Sequence, residues 1–141
     1  PSIPSFAPEE FVVARPVDTG RFKQFRKGLA QLDEEGVVQV LRDPDLGDTA
    51  PVLAAVGRMQ FEVFAFRLDS EFGAAVELSP TAYRVARRTD VASAPELSHT
   101  TGVRVLERAD GTLLALFESP YWLDRLQAEK PDLTLERIVA D

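Results

Sequence analysis

The chain has 141 residues, no cysteine, 45% hydrophobic and 28% charged residues, and a net charge of −7 from 16 basic and 23 acidic side chains. That length suits one domain or two small subdomains with a sizeable core, and the composition excludes wholesale disorder. The missing cysteine removes disulfides, thiolate metal sites and thiol catalysis, no apolar run approaches the ~20 residues of a membrane helix, and the acidic balance disfavours a free-standing RNA-binding domain.

A cytoplasmic protein fits these features best, with no membrane or DNA partner. The chain opens Pro1-Ser2-Ile3-Pro4 without an initiator methionine, which reads as a segment of something longer. Arginine far outnumbers lysine and asparagine is absent, as a GC-rich bacterial genome would produce.

Residues 1–8 hold three prolines and read as a connector. Phe11 to Ala14 forms a short apolar strand stopped by Pro16. Asp18 or Thr19 then caps a helix over residues 21–35, with Phe22, Phe25, Leu29 and Leu32 as its buried stripe. Lys23, Arg26 and Lys27 lie towards the other side, and Gly36 suits the left-handed cap. A strand over 37–41 follows, then a polar turn-rich loop over 43–48, then a strand over 52–56. The next helix runs over 59–72 and is expected to bury Met59, Val63 and Phe66 with Phe61 or Phe64. A strand over 75–78 completes the order β-α-β-β-α-β, the ferredoxin-like split arrangement of an antiparallel sheet with both helices on one face.

The remaining third alternates in the same style. A strand over 83–88 precedes an ambiguous stretch over 90–102, with a short helix over 94–98. Strands over 103–108 and 112–117 flank the hairpin dipeptide Asp110-Gly111. Ser119 caps and Pro120 starts a helix that ends at Lys130, and a last strand covers 133–139. The fold class is therefore α+β: a ferredoxin-like subdomain over 9–80, and a second, degenerate αβ unit with mostly antiparallel sheet over 81–141. The pattern leaves open whether the two sheets merge.

Catalytic chemistry is sparse. No glycine sits in a phosphate-loop frame, and without asparagine there is no guanine-reading Asn-Lys-x-Asp. Gly57 at a helix start can accept an anion with Arg58 assisting, but a turn glycine is the simpler reading. The single histidine, His99, reads as a solvated loop residue, and Asp33-Glu34-Glu35 as a solvated helix end rather than an acid–base or Mg²⁺ cluster. Arg42, Arg58, Arg84, Arg87 and Arg88 are the candidate polyanion contacts, Arg84 and Arg88 sharing one strand face. Charged strand positions also serve simply to discourage edge pairing. Tyr121 and Trp122 can stack on a base, although Trp122, Leu123 and Leu126 at helical spacing read as core.

Some stretches carry a resemblance. Val56-Gly57-Arg58-Met59-Gln60-Phe61-Glu62-Val63, continuing to Arg67-Leu68 and Glu71-Phe72-Gly73, looks like a signature of one branch of the ribosome-dependent GTPases. The elongation factor G form begins glycine-x-glycine-glutamate-leucine-histidine. The core here, Gln60-Phe61-Glu62, resembles that of the bacterial peptide chain release factor 3 family. Lys27-Gly28-Leu29-Ala30-Gln31-Leu32-Asp33-Glu34-Glu35-Gly36 and Val37-Val38-Gln39-Val40 resemble that family's first helix and following strand, and Phe6-Ala7-Pro8-Glu9 its entry from the preceding domain. The likeness is thinner after residue 88.

The resemblance implies the non-catalytic C-terminal domain of a translational GTPase that promotes departure of class I release factors. Its GTP and Mg²⁺ sites would lie in an N-terminal domain absent from this chain, so no cofactor is expected here. Its partners would be the small ribosomal subunit, its own GTPase domain and, indirectly, the class I factor. The arginines above would then be candidate ribosome contacts, and Pro4, Phe6, Pro8 and Pro16 a candidate interdomain hinge. The rival reading is a ferredoxin-like regulatory domain that binds a small metabolite, which the element order permits.

Overall fold

The computed structural model of the chain describes residues 7–138. The first strand, β1 (Glu10–Pro16), includes the proline expected to stop it. Val17 N–H bonds Ala75 O at 3.0 Å, so the alternation of the strand turns the missing N–H of Pro16 away from that neighbour. Pairing on the other side has ended at Val13, and the proline therefore costs no ladder bond. Asp18 caps the next turn by accepting from Gly20 N–H at 2.8 Å. Helix α1 (Phe22–Glu34) follows, and Gly36 adopts φ 78° after it.

The next two strands, β2 (Gln39–Asp43) and β3 (Gly47–Ala55), extend into the stretch expected to be loop, which is only a hairpin tip. Asp43 shapes that tip by accepting from Asp45 N–H at 2.9 Å. Helix α2 (Met59–Phe72) ends in a left-handed Gly73, with Gly73 N–H on Asp69 O and Ala74 N–H on Leu68 O. Strand β4 (Val76–Pro80) returns along β1. Then come β5 (Val85–Thr89), α3 (Ala94–Ser98), β6 (Val103–Glu107), β7 (Leu113–Phe117) and α4 (Pro120–Glu129), whose Ser119 cap is as expected. Among the described residues the expected last strand is reduced to one bridge between Arg88 and Glu136, and Val139 lies outside them. Ser93 Oγ takes Thr134 N–H, and Gln127 bonds Leu135 O, so side chains hold this segment where a strand would need backbone.

All the strands form one antiparallel sheet in the order β4-β1-β3-β2-β6-β7-β5. The first four have the ferredoxin-like order with α1 and α2 on one face, and the two halves join through β2 and β6 at Arg42 and Glu107. Three clusters of buried side chains divide the interior. Phe25, Leu29, Leu53, Phe64 and Leu68 lie between α1, α2 and the first half. Leu97, Phe117 and Leu123 lie between α3, α4 and the second half. Phe11, Leu41, Val52, Leu106, Leu114 and Leu116 make the third, which contains no helical residue and draws on both halves. Those residues are nearly or wholly inaccessible, so the two halves of the sheet cover each other. The layers run helix, sheet, sheet, helix.

Two expectations about packing are corrected. In α2 the buried positions are Phe61, Phe64 and Leu68, while Met59, Val63 and Phe66 face outward, Met59 70% and Phe66 72% exposed. In α4 only Leu123 is fully buried, and Trp122 is 58% exposed. Both helices carry apolar residues on more than one side, so spacing alone did not fix the phase.

Candidate functional site

The start of α2 is where an anion would sit if Gly57 bound one. The two amides just before it are already engaged: Gln60 Oε1 accepts from both Val56 N–H and Gly57 N–H at 3.0 Å. Gln60 Nε2 donates to Val37 O at 2.9 Å, tying α2 to the loop between α1 and β2. Phe61 fills the core beside it and Glu62 is exposed. At the other end of the helix, Arg67 donates to Glu71 at 2.9 Å and to Glu35 at 2.6 Å. Glu35 is therefore paired rather than merely solvated, and the bonds from Arg67 and then Gln31 hold its carboxyl down at about 2. A Cβ on Gly28 would lie 2.2 Å from Leu68 Cδ1, so this glycine lets α1 and α2 approach.

The five candidate arginines are not brought together. Arg42 on β2 pairs with Asp48, which also accepts from Arg26 at 3.1 Å. Arg58 is exposed just before α2. Arg84 is exposed just before β5, its N–H on Phe117 O. Arg88 shares its strand alternation and lies 3.5 Å from Glu136. Arg87 points to the opposite face, half-buried and bonded to Ala86 O, and burial pushes its pKa down. Among the described residues, Arg58, Arg84 and Arg87 have no carboxylate within ion-pair distance.

Of the candidate hinge residues, Pro4 and Phe6 lie outside the described residues. Pro8 is buried, and Pro16 is held in β1 opposite Val76, inside the sheet rather than between bodies. His99 is exposed, with its Nδ1 2.6 Å from Pro95 O. Among the described residues no cluster of three His, Asp or Glu side chains is arranged to hold a metal ion, and no helix is long and apolar enough to cross a membrane.

Sequence reasoning missed one feature. A groove of about 620 Å³ runs between α4 and the ends of β6 and β7, with the exposed Trp122 as one wall. The available signal was Tyr121-Trp122 in the first turn after the Ser119 cap, with Trp122 four positions before Leu126 and so on its side of the helix, away from Leu123.

The family described as Class II release factor RF3, C-terminal domain, matches residues 1–127. The chain belongs to this family. Peptide chain release factor 3 of Synechocystis sp. is 38% identical over 143 residues, covering 98% of this chain and 26% of that protein. The proteins of the same name from Microcystis aeruginosa and Rippkaea orientalis are 39% and 38% identical over 141 and 138 residues. They cover 96% and 94% of this chain and 25% of each protein. The chain thus spans about a quarter of the length of the curated relatives it matches.

Within this release-factor domain, the α1 and α2 stretches that carry the resemblance now have a physical content. Gln60, Gly28, Arg67, Glu35 and Gly73 fix how two helices start, touch and stop. None of these residues lines the groove beside α4.

Proposed function

We propose that this domain serves a ribosome-dependent GTPase of translation termination as a non-catalytic lever that helps class I release factors leave the ribosome. Membership of the release-factor family, over residues 1–127, carries the reading. The four-layer body supports it, because a lever must transmit a rotation without bending, and each half here is locked by a core that the other half completes. GTP and Mg²⁺ are then held by an N-terminal GTPase domain, and Gln60, which occupies the Val56 and Gly57 amides, serves packing rather than phosphate. In this reading the domain works in the cytoplasm, against its own GTPase domain and the small ribosomal subunit.

Arg84 and Arg88 are the residues proposed to touch the ribosome, with Arg58 available on another face. In the full-length release factor, Arg84→Glu with Arg88→Gln is expected to weaken ribosome co-sedimentation about tenfold or more, the loss of two charge-assisted contacts. The glutamine avoids setting a second carboxylate against Glu136. Unfolding temperature should stay at the wild-type value. Unchanged sedimentation assigns these arginines to solvent. Purified alone, the 141-residue chain should release no phosphate from GTP above the buffer rate, and measurable turnover would overturn the non-catalytic reading.

A further inference from the structure

The groove beside α4 combines an apolar floor with an exposed aromatic wall. Val103, Phe117 and Leu126 form an apolar floor, and Trp122 stands over it. The indole is braced on two sides: the Arg125 guanidinium carbon lies 5.2 Å from its ring centroid, and Tyr121 meets it edge-on at 5.2 Å. Arg125 also bonds Glu129 at 2.8 Å. A large aromatic held exposed beside an apolar floor resembles the centre of a protein-binding patch, where tryptophan contributes the most per residue.

Charge selects the occupant. Glu118 lines the groove with its N–H on Gly102 O at 3.1 Å, and among the described residues its carboxylate has no cationic partner. Over residues 118–138, Glu118, Asp124, Glu129, Asp132 and Glu136 outnumber Arg125, Lys130 and Arg137. Arg125 and Lys130 are committed to Glu129 and Glu96, and Glu136 to Arg88, which leaves Glu118, Asp124 and Asp132 against Arg137 among the described residues. A nucleobase can stack on an indole, but its phosphates would meet this excess of carboxylates. A basic polypeptide meets the complementary field.

We propose that the groove docks a short basic segment of a protein partner. One aliphatic or aromatic side chain of that segment packs against Trp122, Leu126 and Phe117, and a neighbouring lysine or arginine pairs with Glu118. The occupant follows from the groove's own chemistry and does not require the ribosome.

Trp122 is the only tryptophan of the chain, so its emission reports on the groove directly. Titration with a capped peptide of alternating leucine and lysine should give a saturable blue shift that weakens with added salt. Glu118→Lys, an exposed change, should weaken that binding about tenfold, and Glu118→Gln by less. A charge-reversed leucine–glutamate peptide should give no shift. The proposal is overturned by an unresponsive indole, by equal binding to Glu118→Lys, or by an equal or larger response to single-stranded oligouridylate.

Discussion

The side-chain amide of Gln60 is used at both ends, accepting from the Val56 and Gly57 amides and donating to Val37 O. Removing it strands three backbone groups in a half-buried corner, and stranded polar groups there cost more than the bonds themselves contribute. Gln60→Ala should therefore lower stability by about 1–3 kcal/mol in urea denaturation. Gln60→Glu should cost less, because its carboxylate still accepts from both amides, although it also turns an acceptor oxygen on Val37 O. A loss in Gln60→Glu as large as in Gln60→Ala would mean that the contact with Val37 outweighs the two amides. The sequence made Gln60 conspicuous through its resemblance, yet its role was not legible, because Val37 lies 23 positions away. Gly28 is similar: its need for smallness comes from Leu68 and Phe72 on another helix.

At the level of elements, the sequence was most readable where a local device sets a boundary. Gly36, Ser119 and the Asp110-Gly111 turn act within a few residues of themselves and work as expected, while Asp18 caps the short 3-10 turn Thr19–Arg21 ahead of α1 rather than α1 itself. The phase of α2 was not readable, because Met59, Phe61, Val63, Phe64, Phe66 and Leu68 spread apolar surface around most of the helix. The contact with α1 decides it, through Gly28 and through Arg67, which reaches from α2 to Glu35. That pair has a pH signature. Glu35 is held near pKa 2 against an ordinary 4.5, and Glu71 is lowered by the same guanidinium. The folded state thus binds fewer protons than the unfolded one in this range. The stabilisation is fully present above pH 4.5 and is lost as pH falls towards about 2. Arg67→Gln should show a shallower acid loss than the wild type across that window, measured by urea midpoints at successive pH values. Because the pair is at the surface, added salt should narrow the gap between the two proteins. Superimposable pH curves would remove Arg67 as the cause.

Across the whole molecule, the ferredoxin-like half was legible from element order alone, whereas the folding of one half over the other was not. Its trace was present: residues 51–55 and 114–117 are apolar without alternation, the pattern of a strand covered on both faces. Spacing cannot name what covers the second face, and here each half covers the other through Phe11, Leu41, Val52, Leu106, Leu114 and Leu116. The consequence is cooperativity. Phe11 belongs to β1 in the first half, while Trp122 sits on α4 in the second, outside the cluster that contains Phe11. Phe11→Ala should cost about 3–5 kcal/mol, the usual range for emptying a buried aromatic site. If the shared core makes the halves one folding unit, Trp122 emission and far-ultraviolet dichroism must shift to the same lower midpoint. Two units joined only at Arg42 and Glu107 would behave differently: dichroism would divide into two steps, and the Trp122 midpoint would stay near that of the wild type. A lever needs the first outcome, since a body that yields between its halves would dissipate the rotation it is proposed to carry.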